Sequence, residues 1–222
     1  MTDFAAQRKS MVDSQVRPSD VTDRRIPRAM LEVPRELFVP DALRPIAYMD
    51  ENLRVGDGEG GGGGRYLLAP RVFAKLLQHL EIGDGDAVLD IGGATGYSAA
   101  ILARLSPRVV ELESDPVLAE RAYALLAEAA ATVRHFTGPL AEGVAGEGPY
   151  DAILVNGAIP DAPRALLDQL KDGGRLAAIR LERGVGRAML WRRYGTRFDQ
   201  RALFDAGAPP LPGFERRAEF VF

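Results

Sequence analysis

Val88-Leu-Asp-Ile-Gly-Gly-Ala-Thr-Gly-Tyr97 is the stretch on which the fold turns. Its first residues, with Ala87 before them, have the apolar density of a short buried strand. Gly92, Gly93 and Gly96 then make a tight turn, and Tyr97 to Leu105 resumes apolar residues at helical spacing. A glycine turn between strand and helix lets a ligand approach the backbone closely and offers it the unpaired amides of the helix start. Glu113 follows directly after Arg108-Val-Val-Glu-Leu112, a second strand. A carboxylate at that strand tip can accept both hydroxyls of a ribose.

Outward from this centre the chain alternates regularly. Val72 to Leu80 precedes it with helical spacing, and Pro116 to Ala130 follows as an alanine-rich helix opened by Asp115 and Pro116. Strands are expected at Thr132 to Phe136, Asp151 to Val155 and Gly174 to Ile179, with a helix over Ala162 to Leu170. Strands separated by helices imply an α/β fold with a doubly wound, mostly parallel sheet. Ala188 to Arg192 and Glu219 to Phe222 read as closing strands. Upstream, residues 1–56 read as a helical extension punctuated by Pro34, Pro40 and Pro45, with a helix over Val21 to Leu31. Asp57 to Gly64 is a glycine-rich break that reads as a mobile surface loop, and residues 57–69 join it to the core at 70–222.

Composition narrows the chemistry. The 222 residues carry a formal net charge of −3, with 46% hydrophobic and 27% charged residues, as in an ordinary single globular domain. No basic tail points to nucleic acid or an anionic membrane, and Arg24, Arg25 and Arg28 read as a solvated helix face. Cysteine is absent, which excludes disulfides, thiolate metal sites and cysteine nucleophiles. With only His79 and His135, no multi-histidine metal site is expected. The polar start and the lack of a long apolar run predict a cytoplasmic protein without a membrane span.

The order Asp90-x-Gly92-x-Ala94-x-Gly96 departs from the three-glycine dinucleotide pattern. It has the spacing of a methyltransferase loop with alanine at the middle glycine. Asp90 beside the loop would repel a phosphate, yet it can orient backbone amides or meet an amino group. The cofactor expected from these residues is S-adenosyl-L-methionine, held by Asp90, Gly92, Gly93, Ala94, Thr95, Gly96, Tyr97 and Glu113, with Asn156 from the fourth strand.

Nearly the whole chain resembles the protein-L-isoaspartate O-methyltransferase family. Met11-Val-Asp-Ser-Gln15, Val33-Pro-Arg-Glu-Leu-Phe-Val-Pro40 and Ala47-Tyr-Met-Asp50 are similar to its N-terminal signatures. Val88 to Tyr97 looks like its cofactor loop, Pro149 to Pro160 its fourth-strand motif, and Leu170 to Leu176 its fifth-strand entry. The resemblance implies a class I, Rossmann-like methyltransferase that methylates the abnormal carboxylate of damaged aspartyl residues, so that a succinimide can form and reopen. The implied partner is a peptide or protein carboxylate, contacted by Leu67, Leu68, Ala69, Pro70, Gly157, Ala158 and Ile159.

Three segments depart from the family pattern. Its Gly-Gln-Thr-Ile-Ser-x-Pro reads Gly64-Arg-Tyr-Leu-Leu-Ala-Pro70, so Tyr66 and Leu68 stand where hydroxyl residues face the acceptor. Arg65 and Tyr66 are the candidate replacement donors. The aspartate that meets adenine is Pro139, and Asn156-Gly-Ala-Ile-Pro160 replaces a Thr-Ala-Ala-Ala-Pro stretch. Alternatives are a methyltransferase of the same fold with another acceptor, or a cofactor-binding protein without turnover. Amino methylation of bases is disfavoured, because Asn156 to Ile159 lacks an Asn/Asp-Pro-Pro-aromatic platform.

Overall fold

A computed structural model describes residues 2–57, 64–129 and 131–214. The glycine run over 58–63 and the expected strand Glu219 to Phe222 lie outside them.

Seven strands form one sheet in the order β5-β4-β3-β6-β7-β8-β9. They are β3 (Ala87–Ile91), β4 (Arg108–Glu113), β5 (Val133–Thr137), β6 (Tyr150–Ile159), β7 (Leu170–Glu182), β8 (Val185–Tyr194) and β9 (Arg197–Asp205). From β5 to β7 all neighbours run parallel, and β8 and β9 add an antiparallel edge. A separate antiparallel pair, β1 (Leu53–Gly56) and β2 (Arg65–Leu67), brackets the glycine run.

Alternation along the strands sends side chains to two cores. Val88, Val109, Ala152, Leu154 and Ala177 face one, Leu89, Val110, Ile153, Val155 and Leu176 the other. The first core is covered by α3 (Pro70–Leu80), α4 (Tyr97–Leu102) and α5 (Pro116–Glu128). Pro70 starts α3, where its missing N–H costs nothing, and Glu81 ends it in a left-handed conformation. Asp115 caps α5 by accepting from the Val117 and Leu118 amides, a contribution of about 1 kcal/mol.

The second core is covered more thinly, by the one-turn α6 (Arg164–Leu167), short 3-10 turns and the segment carrying Leu211 and Phe214. The helix expected over Ala162 to Leu170 is therefore only one turn, because Leu170 already begins β7. β9 carries Arg197, Asp199, Gln200 and Arg201 on an exposed edge, and that polarity hid it from pattern reading.

The N-terminal residues do not stand apart. From α1 (Phe4–Met11) and α2 (Arg25–Glu32), Met11, Ile26 and Met30 join Phe73, Leu76 and Leu77 of α3 in the first core. Arg8 ties them further, donating to Glu36, Tyr48 and the Leu31 carbonyl. Among the described residues no helix is long and apolar enough to cross a membrane.

Candidate cofactor and acceptor site

Strand order reverses at β3, whose neighbours are β4 on one side and β6 on the other. In an open α/β sheet the crevice at such a switch point, beyond the carboxyl ends of the strands, is where ligands bind. The turn Gly92 to Gly96 leaves β3 there, Glu113 ends β4, and Asn156 lies in β6. Residues read from separate motifs thus meet. The Gly92 amide donates to Leu112 O at 2.8 Å, the Ala94 amide to Glu113 Oε2 at 2.9 Å, and Asn156 Nδ2 to Asp90 Oδ1 at 2.7 Å. Gly92 and Gly96 take positive φ of 69° and 90°. Ala94 follows at 56°, keeping a left-handed backbone despite its Cβ.

Several expected cofactor ligands also support the loop. Asp90 is wholly buried and accepts from Ser98 Oγ at 2.6 Å as well as from Asn156. Burial first, then the neighbouring Glu111, pushes its pKa up to about 7, against the pull of those two donors. A Cβ on Gly93 would lie 2.7 Å from Glu111 Oε1 and 2.8 Å from Asp90 Oδ2, so only glycine passes over this carboxylate pair. Thr95 is buried and donates to the Phe38 carbonyl at 2.6 Å, tying the loop to the N-terminal segment. Tyr97 packs edge-on to Phe38, with the Arg35 guanidinium 4.7 Å from its ring centre. Glu111 escaped the sequence reading. Burial raises its pKa, opposed by His135, whose Nδ1 lies 2.8 Å from Oε2. Its signal was available: a charged residue at an interior position of a buried strand.

Glu113 is buried. Its Oε1 accepts from the Ser114 and Asp115 amides at 2.7 and 3.0 Å, and its Oε2 from the Ala94 amide and from Arg65 Nη2. Arg65 and Glu113 form a buried ion pair, each side chain 1% exposed. Arg65 Nε and Nη1 have no hydrogen-bond partner among the described residues. Leu211 completes the cover. A Cβ on Gly92 would meet Leu211 Cδ1 at 3.0 Å and Arg65 Nη2 at 3.1 Å, and one on Gly157 would meet Leu211 Cβ at 2.9 Å. The donor and acceptor set fits a nucleoside with a ribose, namely a strand-tip carboxylate beside a glycine turn. The space above the turn is taken by this chain's own Arg65 and Leu211.

The acceptor side is also closed. Leu67, Leu68 and Ala69 are buried, and Leu68 belongs to the first core. Arg35 braces this segment by donating to the Leu68 and Ala47 carbonyls, both at 2.9 Å. A cavity of about 10 Å³, room for at most one water, lies among Arg35, Tyr66, Leu68, Gly93, Tyr97 and Asn156. Arg35 Nη1 and the Tyr97 hydroxyl make no hydrogen bond of standard geometry among the described residues. Of the β6 residues expected to meet peptide, Ala158 exchanges backbone hydrogen bonds with Pro209 and Leu211, at 2.9 and 2.8 Å. Ile159 is buried in the second core. Pro70 serves α3, and Pro139 starts a 3-10 turn.

With this geometry in place, the comparisons with known proteins are direct. The family model described as protein-L-isoaspartate (D-aspartate) O-methyltransferase matches residues 6–191. A protein-L-isoaspartate O-methyltransferase of Methanoculleus marisnigri is 42% identical over 173 residues, covering 78% of this chain and 76% of its own. A solved structure titled protein-L-isoaspartate O-methyltransferase superposes with a TM-score of 0.81 at 24% identity, over 93% of this chain and 67% of that one. Another, a Plasmodium falciparum protein of the same description with S-adenosyl-L-homocysteine bound, gives 0.77 at 18% identity, over 96% of this chain and 100% of that one. The two structural likenesses bear on the fold, while the family model and the sequence relative fix the lineage: the chain belongs to the protein-L-isoaspartate O-methyltransferase family of S-adenosyl-L-methionine-dependent enzymes.

Proposed function

We propose that this chain methylates the isoaspartyl carboxylate of damaged proteins and peptides, with the cofactor's nucleoside over Gly92 to Gly96 and its ribose on Glu113. One observation carries this reading: Glu113 ends β4 at the switch point with Oε2 on the Ala94 amide of the glycine turn. When bound, S-adenosyl-L-methionine supplies a methyl group on a sulfonium, which a carboxylate oxygen can take without an acid or a base. The chain's contribution is then alignment and exclusion of water. Arg35 fixes the Leu68 carbonyl and hence the segment Leu67 to Pro70 on the acceptor side, while Leu67, Leu68 and Leu211 keep water out.

Leu68 in place of a hydroxyl removes one hydrogen bond to a charged acceptor, roughly 1.5–3 kcal/mol, or one to two decades in rate. Slow turnover is expected on this account, with Arg65 or Tyr66 as the replacement donor. Residues 1–56 serve as the substrate-side wall, 57–69 as the acceptor segment and 70–222 as the cofactor core. The partner is a protein carboxylate and the setting the cytoplasm; the charge of −3 favours neither nucleic acid nor an anionic membrane. The test is calorimetric titration with S-adenosyl-L-homocysteine, followed by radiolabelled methyl transfer to paired isoaspartyl and aspartyl peptides. Homocysteine-nucleoside binding with slow transfer to the isoaspartyl peptide alone is expected. Tight binding with no transfer to either peptide would sink the isoaspartyl reading and leave a methyltransferase with another acceptor or a binding protein without turnover.

A further inference from the structure

An ionised carboxylate has about four acceptor positions. All of those on Glu113 are taken in this structure, by the amides of Ala94, Ser114 and Asp115 and by Arg65 Nη2. The three amides belong to the backbone that shapes the turn and the strand end. Two side chains also donate: Ser114 Oγ, at 3.3 Å from Oε1, and Arg65, the one charged partner that can leave without remaking the fold. Arg65 is also poorly satisfied where it stands, since Nε and Nη1 are buried without a partner. It sits in β2, the strand that runs directly into Leu67 to Pro70 on the acceptor side.

From this we infer that Arg65 has two stations: it plugs the cleft on Glu113 when no nucleoside is present, and once ribose hydroxyls displace it, its guanidinium takes the carboxylate of the acceptor. The inference rests on the reading that Glu113 holds the ribose. Its consequence is order. A buried guanidinium deprived of its carboxylate is costly until another anion arrives, so nucleoside binding creates the demand for an anionic acceptor. A guanidinium also matches a carboxylate with two parallel hydrogen bonds, which an ammonium cannot reproduce. Leu211, packed on Gly92 and Gly157, is the apolar half of the same plug.

The protein tested is the 222-residue chain, with Arg65→Gln, Arg65→Lys, Glu113→Gln and Leu211→Ala variants and the double variant Arg65→Gln/Glu113→Gln. Three readouts apply: the thermal midpoint without ligand, S-adenosyl-L-homocysteine affinity by calorimetry, and anisotropy of a labelled isoaspartyl peptide with and without that nucleoside. Removing a plug raises the competent fraction and with it the apparent affinity. Arg65→Gln should therefore bind the nucleoside at least about five-fold tighter than wild type while melting lower without ligand. Peptide binding to wild type should tighten at least about five-fold when the nucleoside is present, and Arg65→Gln should lose that gain, with Arg65→Lys between the two.

Arg65→Gln binding the nucleoside no tighter, or keeping the wild-type peptide gain, overturns the inference. If Arg65→Gln does not fold, Leu211→Ala carries the first arm, and unchanged nucleoside affinity there has the same meaning. Glu113→Gln separates the inference from its premise. Weaker nucleoside binding in Glu113→Gln with an unmoved Arg65→Gln sinks the plug alone. Unchanged binding in Glu113→Gln, alone and in the double variant, sinks the ribose assignment and the plug with it.

Discussion

The two lips of the cleft are finished to different degrees. On the β3–β4 side Glu113 has all its acceptor positions matched, and the turn from Gly92 to Gly96 is held by Asp90, Thr95 and Asn156. On the β2 side Arg65 Nε and Nη1 are buried without hydrogen-bond partners among the described residues, and Arg35 Nη1 and the Tyr97 hydroxyl make no bond of standard geometry beyond their own contact. Burial pulls the Arg35 pKa below its usual value, opposed first by Tyr97, then by Tyr48 and the Asp50 carboxylate. A buried donor without a partner costs about 1–3 kcal/mol. Before a ligand arrives the nucleoside lip keeps one spare acceptor, Glu111 Oε1 beneath Gly93, whereas the acceptor lip keeps spare donors of a kind that suits an anion.

The sharpest way to break this contrast is to unbalance the finished lip. Glu113→Ala leaves the Arg65 guanidinium buried and unpaired, for an expected loss of about 3–5 kcal/mol in stability. Urea unfolding with fixed slope measures it. A loss under about 1 kcal/mol would mean that Arg65 escapes to solvent, and the closed cleft would then be loosely held.

Next in size is a pH effect from the supports beneath the loop. The folded pKa of Asp90, about 7, lies above its ordinary value of 3.8, so between the two the folded state keeps a proton that the unfolded chain has released. Asp90 therefore contributes stability that is full below about pH 4 and lost as pH rises through about 7. The slope is at most about 1.4 kcal/mol per pH unit. Glu111, raised in the same direction, adds to it. Asp90→Asn should flatten the denaturation midpoint between pH 5 and 7.5. An equally steep profile in the variant would assign the slope to Glu111 and its His135 contact.

Leu68→Ser probes the unfinished lip. Its burial in the first core sets the cost of the change. The substitution should cost about 2–3 kcal/mol, the lower part of the range for truncating a buried leucine, because the new hydroxyl faces donors near Arg35 and Tyr97. Methyl transfer to an isoaspartyl peptide should rise by no more than about a hundred-fold, the yield of one charge-assisted hydrogen bond. No gain in a folded variant would assign Leu68 to sealing the pocket.

The contrast also marks what could be read in the chain. The strand, turn, helix and acid order from Ala87 to Glu113 was legible because backbone geometry dictates it: glycines where φ is positive, apolar residues where both faces are buried. The one-turn α6 and the exposed β9 were not, since their short or polar sequences carry no clear period. Arg65 was legible as a carboxylate partner, though not as the partner of Glu113. Forty-eight residues separate them, and only the folded position of the β1–β2 pair brings them together. Leu211 gave no signal at all, because its role comes from Gly157 and Gly92 lacking side chains beneath it.

The smallest effect concerns the turn itself, on the finished lip. Ala94 has φ of 56° where the family spacing puts glycine, and a Cβ in that region crowds the backbone by roughly 1 kcal/mol. Ala94→Gly removes the crowding but gives the unfolded chain more freedom to lose, which offsets part of the gain. The net expectation is a stabilisation of about 0.3–0.8 kcal/mol, from relieved strain on the order of 1 kcal/mol less the added entropy. Ala94 is buried, and its own amide holds Glu113 Oε2, so a turn that relaxes without shifting should leave the Glu113 contacts intact and nucleoside affinity within about two-fold. Urea unfolding and calorimetry on the same preparations separate the two quantities. A destabilised variant with weaker nucleoside binding would show that the Ala94 methyl group packs usefully against the first core, and that the turn owes part of its shape to that contact as well as to its glycines.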